Sequence, residues 1–353
     1  MEKLEKIRKK ISELGVDGLL IMSPSNRRYV SGFTGTAGAA LITLDEAFFI
    51  TDFRYVEQAK KQAPDFTVVR HKGSIIEEVK NLCSRKGWKR IGFEEQHVTY
   101  ALYREMENRL PAELVPVSGA VEKLRLIKSE AEIKIIKVAA DIADAAFKHI
   151  LDYIKPGVTE MEVANELEHF MKKCGASAVS FETIVASGHR SALPHGVASE
   201  KVIEKGDMVT LDYGAVYQGY VSDITRTVSV GEPSDTLKEI YGIVLEAQRK
   251  GVEAIRPGMT GKEADAVCRS YIAEKGYGEY FGHSTGHGIG LEVHEGPALS
   301  ERSDEVLAEN MVVTVEPGIY LPGVGGVRIE DDILLSEKEN IRLTHSTKEL
   351  IVL

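Results

Sequence analysis

Apolar residues recur at Leu4, Ile7, Ile11 and Leu14, spaced by three and four, which predicts a helix over residues 2–14 with one apolar face. A short apolar run at 18–22 reads as a buried strand, and 38–44 with 47–52 as a strand pair. Helical patterns follow at 54–62 and 74–86, with strands at 66–71 and 90–95. Helices alternating with strands predict an α/β domain on a mixed or mostly parallel sheet. Charge runs such as Arg8 to Lys10 read as solvated faces, and no chemistry clusters in this third. A boundary is expected at 124/125, giving domains 1–124 and 125–353. Just beyond it, Ser129 and Glu132 are spaced as a capping box, and an apolar-striped helix runs to about residue 153.

The second part repeats itself. IKPGVTEMEVA from Ile154 and IRPGMTGKEAD from Ile255 lie 255 − 154 = 101 residues apart. Thr159 with Glu162, and Thr260 with Glu263, each form a capping-box pattern. Gly175 and Gly276, again 101 apart, suit the helix ends. The alternative is one common helix-start motif used twice, but matched start and stop signals favour two related halves facing across a pseudo-two-fold axis. A cleft between such halves is a natural ligand site.

Each half then carries a hairpin with two acids. In MVTLDYGAVYQGYVSDITRTVSV, Asp212 and Asp223 are equidistant from 217.5, so a tight turn near Tyr217, Gln218 and Gly219 sets them across the ladder or one step off. In the second hairpin Glu316 and Glu330 are equidistant from Gly323. Like charges so placed repel unless a cation neutralises them. His287 lies in GHSTGHGIG, whose glycines oppose a helix and therefore a helical His283–His287 zinc pair. A glycine-rich strand that lets backbone approach a ligand is the better reading. Singly, these residues have plain explanations: a hairpin-edge Asp is ordinarily a turn former, and Glu330-Asp331-Asp332 alone reads as an acidic surface run. Their matched placement in apolar strands of two related halves points instead to a metal site.

Composition adds limits. At 353 residues the chain is long for one domain, and 43% hydrophobic content supplies a sizeable core. A net charge of -10 argues against nucleic acid or an anionic membrane as partner. No apolar run approaches the roughly 18 residues of a membrane helix, and the charged amphipathic start does not read as a secretory signal. Three scattered cysteines without a CxxC pair give neither a thiolate zinc site nor a disulfide framework, and fit a cytoplasmic setting.

The eleven-residue Asp212–Asp223 step, TGHGIGLEVHEGP, VEPGIY and VRIEDD together resemble the creatinase/methionine aminopeptidase family of metallopeptidases, and within it the proline-specific branch of Xaa-Pro dipeptidase and Xaa-Pro aminopeptidase (aminopeptidase P). The likeness spans nearly the whole chain, through the linker LRLIKSEAEI. It implies an N-terminal creatinase-type α/β domain and a C-terminal "pita-bread" α+β domain. It also implies two divalent ions per subunit, Mn²⁺ first, with Co²⁺, Zn²⁺ or Fe²⁺ as alternatives. Carried over, Asp212 binds one metal, Asp223 and Glu330 bridge both, and His287 and Glu316 bind the second. A metal-bridging hydroxide would attack the Xaa-Pro bond, with Glu316 as proton shuttle. The same resemblance makes His294 and His195 substrate-contacting or oxyanion-stabilising groups, and His283 a pocket or supporting residue. Tyr320 would line the pocket, and Arg328 would orient Asp223 or Glu330. It further implies Xaa-Pro peptides as substrates and a homodimer. The dipeptidase is the leading reading and aminopeptidase P, acting on longer peptides, its alternative. A non-catalytic binding protein on this fold is remote, because such relatives typically lose ligands and all five are present.

Overall fold

The computed structural model of the protein describes residues 2–353, which divide into two compact units, one ending at Arg125 and one running Leu126–Leu353. The first unit is built on a six-stranded mixed sheet. Its order is Thr67–Arg70, Ala47–Thr51, Ala39–Thr43, Gly18–Ile21, Arg90–Glu94 and Glu113–Val117. Gly18–Ile21 pairs antiparallel with Ala39–Thr43 and parallel with Arg90–Glu94. The helix Glu2–Leu14 buries Leu4, Ile7 and Ile11, the stripe read from the sequence. Four elements were not anticipated: the helices Pro24–Ser31, Tyr100–Arg109 and Glu122–Arg125, and the strand Glu113–Val117.

The second unit opens with the helix Glu130–Ile150, whose Ser129–Glu132 capping box is formed on both sides. Two arrangements of the same kind follow. Helix Glu160–Lys173 and helix Gly261–Glu274 start 101 residues apart, and each carries a complete capping box, Thr159 with Glu162 and Thr260 with Glu263. Each packs against a long partner helix, Glu130–Ile150 or Asp235–Ala254. The strand order repeats as well. Ile224–Ser229, Met208–Tyr213 and Ile184–Ser187 lie side by side in one sheet. Asp331–Leu334, Val312–Val315 and Gly286–Gly288 lie in the same order in the other, which Glu295–Leu299 and Ile341–Arg342 extend.

Each half has its own core. In the first, Ala143, Phe147, Ile150, Val163 and Leu167 pack on Val185, Val209, Leu211 and Ile224. In the second, Ile240, Val244, Ala264, Cys268 and Ile272 pack on Val313, Val315, Val327 and Ile333. Among the described residues no helix is long and apolar enough to cross a membrane. Cys83, Cys174 and Cys268 are unpaired, the first and last buried.

Candidate metal centre and active site

The two acidic hairpins form, with registers that differ from each other. Strand Met208–Tyr213 pairs antiparallel with Ile224–Ser229, and Thr225 rather than Asp223 stands opposite Asp212. Val216 pairs with Val221 and Tyr217 with Tyr220, so the turn is Gln218–Gly219 and the symmetry point lies one residue beyond the expected midpoint. Asp223, two residues before Thr225, falls on the same strand face as Asp212's neighbour. In the second hairpin Gly318 pairs with Arg328 and Leu321 with Gly325, centred on Gly323 as expected. Val315 pairs with Asp331 in the adjoining sheet on the same register. Glu316 and Glu330 therefore lie in the gap between two ladders, where Pro317 interrupts the pairing and the chain passes from one sheet to the other.

His287 sits in the strand Gly286–Gly288. The flanking glycines serve close packing of strands, not the approach to a ligand read from the sequence. A Cβ on Gly286 would stand 2.0 Å from the Thr314 carbonyl oxygen, and one on Gly288 1.9 Å from that of Gly296. The imidazole Nδ1 donates to the Gly288 carbonyl at 3.2 Å, which turns Nε2 toward Glu316 Oε1 at 3.3 Å and Asp223 Oδ2 at 3.8 Å.

One cavity of about 450 Å³ collects these groups. Asp212, Asp223, His287, Glu316 and Glu330 all line it, together with His195, His283, His294 and Arg328. Ligand atoms of Asp223, His287 and Glu330 lie within 4.8 Å of one another, a grouping that can hold a metal ion. Asp212 Oδ1 and Asp223 Oδ1 are buried without a hydrogen-bond partner. Buried carboxylate oxygens left without donors are what a cation satisfies, and oxygen donors with one imidazole suit a divalent ion.

A match to metallopeptidase family M24 spans residues 134–337, and one to the creatinase/prolidase N-terminal domain spans residues 3–127. The chain belongs to metallopeptidase family M24. Among solved structures it resembles the Xaa-Pro dipeptidase of Bacillus anthracis, at 62% identity and a TM-score of 0.99, over 100% of this chain and 99% of that one. It also resembles the X-Pro aminopeptidase of Thermotoga maritima, at 46% identity, TM-score 0.92 and 99% of both chains. The prolidase of Pyrococcus horikoshii matches at 46% identity and a TM-score of 0.94, over 99% of this chain and 100% of that one. The pita-bread fold of the M24 unit accounts for the two related halves.

Around the M24 site, Arg328 is placed otherwise than expected. Its Nη2 donates to Asp212 Oδ2 at 2.6 Å and its Nη1 to Tyr320 Oη at 2.7 Å, not to Asp223 or Glu330. Its reach to Glu330 runs through Thr225, whose Oγ1 accepts from Arg328 Nε at 3.2 Å and donates to Glu330 Oε2 at 2.7 Å. Nor does Tyr320 line the cavity. It lies behind, 2.7 Å from His283 Nε2. Since His283 Nδ1 faces the Ser284 carbonyl at 2.8 Å, Nδ1 carries the proton and Tyr320 donates to Nε2. His294 stacks edge-on to His287 with ring centroids 4.5 Å apart.

Electrostatics divides the acids. Burial, reinforced by the neighbouring Glu330 and Asp212 charges, pushes the Asp223 carboxyl well above its ordinary range. Glu330 is driven the same way by burial and by Glu316 and Asp212. Burial also raises Asp212, against the pull of Arg328. In Glu316 burial pushes upward too, but the hydrogen bond and charge of His287, with His283 and Arg328, override it and hold the carboxyl at about 2. His287 is lowered by burial and raised more strongly by Glu316, ending above its usual value. Burial lowers both His283 and His294, His294 further through the charge of His287.

Three supporting residues were not read from the sequence. Thr225 joins Arg328 to Glu330. Thr314 Oγ1 accepts from the His287 amide at 3.0 Å and donates to Glu316 Oε1 at 3.3 Å. Asp332 Oδ2 accepts from the Asp223 amide at 2.9 Å. A signal existed for Thr225 and Asp332: each lies two residues after a ligand in a strand, hence on the same face. The Glu330-Asp331-Asp332 run is no surface feature, since all three residues are buried.

Proposed function

We propose that the protein hydrolyses Xaa-Pro peptide bonds with two divalent ions, Mn²⁺ by preference, held by Asp212, Asp223, His287, Glu316 and Glu330. The observation that carries this reading is the convergence of those five side chains on one cavity, with carboxylate oxygens of Asp212 and Asp223 buried and lacking donors. The names of the relatives support the proline preference. Divalent ions bound there would supply a water ionised near neutral pH and polarise the scissile carbonyl.

This chain's own groups do the rest. Glu316 accepts the water's proton and delivers it to the departing proline nitrogen. That nitrogen belongs to a tertiary amide without an N–H, so its departure depends on a positioned acid. His294 and His195, which line the cavity, would donate to the developing oxyanion or the carbonyl. The Arg328–Asp212 pair and the Thr225–Glu330 bond hold the carboxylates in orientation. The reading takes the enzyme as a cytoplasmic homodimer, in keeping with its unpaired cysteines.

One observation favours the second reading, an aminopeptidase acting on longer peptides. Among the described residues lining the cavity, Arg328 is the sole Arg or Lys, and it is committed to Asp212 and Tyr320. A dipeptide brings its carboxylate beside the proline, where no uncommitted cation from this lining meets it, whereas a longer peptide carries that charge outward. Turnover of Xaa-Pro, Xaa-Pro amide and Xaa-Pro-Xaa by the Mn²⁺-loaded enzyme decides. Cleavage of Xaa-Pro alone supports the dipeptidase, and cleavage of Xaa-Pro amide and Xaa-Pro-Xaa, with or without the dipeptide, supports the aminopeptidase. No cleavage of any of them, with metal bound, sinks the proposal.

A further inference from the structure

His195 and His294 reach the cavity from loops at matching places in the two halves. In each half the chain leaves a strand, Ile184–Ser187 or Gly286–Gly288, and returns to the start of a helix, in the second half by way of the strand Glu295–Leu299. The return contacts correspond closely. The Glu160 amide donates to the Lys201 carbonyl at 3.0 Å and the Met161 amide to Ser199 O at 3.0 Å. In the other half the Gly261 amide donates to Glu305 O at 2.9 Å and the Lys262 amide to Ser303 O at 2.8 Å. The residue at the junction nevertheless differs. Glu160 and Gly261 occupy the same position, since 160 + 101 = 261.

In the second half there is no room for a side chain, because a Cβ on Gly261 would lie 2.1 Å from Ala298 O and 2.5 Å from Ser303 Oγ. In the first half the space is filled by a fully buried carboxylate. Glu160 Oε1 accepts from Ser187 N at 2.7 Å and Ser187 Oγ at 2.8 Å. Its Oε2 accepts from Ser199 N at 3.1 Å, from Ser199 Oγ at 2.6 Å and from Arg190 Nη1. Ser187 and Ser199 are the two ends of the loop, and Arg190 lies inside it. Arg190 Nη2 in turn donates to the Val197 carbonyl at 2.9 Å, and the Gly326 amide donates to Ser191 Oγ at 2.8 Å. Pro194, His195 and Val197, which line the cavity, all lie between the clamped ends.

In the second half a helix with the same capping box starts with glycine at this position, so helix formation does not require a carboxylate there. A buried charge with five donors is costly to leave unpaired, and all five donors belong to one loop. We propose that Glu160 is a positioning residue for the reaction: its buried carboxylate closes the 187–199 loop and holds His195 at the cavity. The inference rests on the reading of His195 as a substrate-facing group.

The test is Glu160→Gln, which keeps the volume and removes the charge, with two readouts. In metal-free protein carrying ¹³C-labelled histidine, the His195 Cε1–H cross-peak should move while that of His294, on the unclamped loop, stays. An unmoved His195, or equal movement of both histidines, overturns the proposal. In the Mn²⁺-loaded enzyme kcat/KM should fall roughly 10–100-fold, the range seen when a support behind an active group is lost. In a His195→Ala background the same change should cost less than about two-fold, because the two residues act through one another. Equal losses in both backgrounds would mark a merely structural role. If His195→Ala alone proves as active as the parent, the reading of His195 and the catalytic part of the proposal both fall, while the cross-peaks still decide whether Glu160 sets the loop. Should Glu160→Gln not fold, Ser199→Ala removes one donor and retains the carboxylate, and the same two readouts apply with smaller amplitudes.

Discussion

The two halves of the M24 unit share helices, caps and strand order, yet one of the four acids they bring to the cavity is held low while the other three are raised. Asp212 and Asp223 in the first half are both raised, whereas in the second Glu330 is raised and Glu316 is held at about 2. The difference traces to His287. It sits in the strand Gly286–Gly288, whose first-half counterpart, Ile184–Ser187, carries no imidazole. A repeated scaffold thus supplies geometry, and one unrepeated residue separates the carboxyls. The halves also brace each other: Arg328 and Asp332 of the second hold Asp212 and Asp223 of the first, while Thr225 of the first holds Glu330 of the second.

The largest expected effect comes from removing a raised carboxyl. Asp223→Ala or Glu330→Ala should abolish peptidase activity and metal retention, exceeding the roughly 10–100-fold loss typical of an outer support. The metal-free variants should nevertheless be at least as stable as the metal-free parent, because each removes a buried group that is repelled by its neighbours. Near-normal turnover, or a metal-free variant that melts well below the parent, would contradict the assignment.

Chelation reads the same contrast through pH. The raised carboxyls of Asp223 and Glu330 hold their protons in the folded protein above their ordinary values of 3.8 and 4.5. A raised folded value gives stability that is full below those ordinary values and is lost as pH rises through the raised ones. Glu316 is depressed and works oppositely, but its window closes near pH 2. Metal-free protein should therefore lose Tm as pH rises from about 5 into the neutral range, and added Mn²⁺ should restore more Tm at higher pH. The comparison is with metal-free Asp223→Asn and Glu330→Gln, which lack the titrating groups: a Tm that depends on pH identically in parent and variants would show that the two carboxyls are not held protonated.

A smaller loss is expected at the brace. Thr225→Val keeps the shape but removes the donor to Glu330 and the acceptor for Arg328 Nε. Activity should fall about 10–100-fold with both ions still bound, as metal analysis would show. Loss of metal would instead make Thr225 part of the metal binding itself.

Much of this was legible in the chain. The helix stripes and three capping boxes needed only local spacing, and the register centred on Gly323 followed from counting. The first hairpin was read one residue short because its turn places Gln218 at φ 44° and Gly219 at φ 77°. A two-residue turn with both φ positive ordinarily announces itself as Asn-Gly or Asp-Gly, and Gln at the first place hides it. Helix Pro24–Ser31 hid likewise: its start is marked by a proline, but its polar, arginine-rich run lacks an apolar stripe. Arg328 meets Asp212 and not the expected carboxylates because Asp212 lies 116 residues away, on a strand whose placement beside Arg328 no local pattern encodes. The placement of Tyr320 behind the cavity depends on the same packing.

The smallest effects test whether the halves are equivalent. Thr159 accepts from the Glu162 amide at 3.1 Å and Thr260 from the Glu263 amide at 3.2 Å, with matching return bonds from each Glu. Equivalent caps should have equivalent strength, so Thr159→Ala and Thr260→Ala should each cost about 1 kcal/mol in denaturant unfolding. Their activities should differ. Fraying the first turn reaches Glu160 in one half and only Gly261 in the other. Thr260→Ala should thus keep the parent's kcat/KM, and Thr159→Ala should show a modest loss, smaller than that of Glu160→Gln. Identical activities in the two cap variants would mean that the first-half loop does not depend on its helix start, and the functional difference between the halves would then rest on His287 alone.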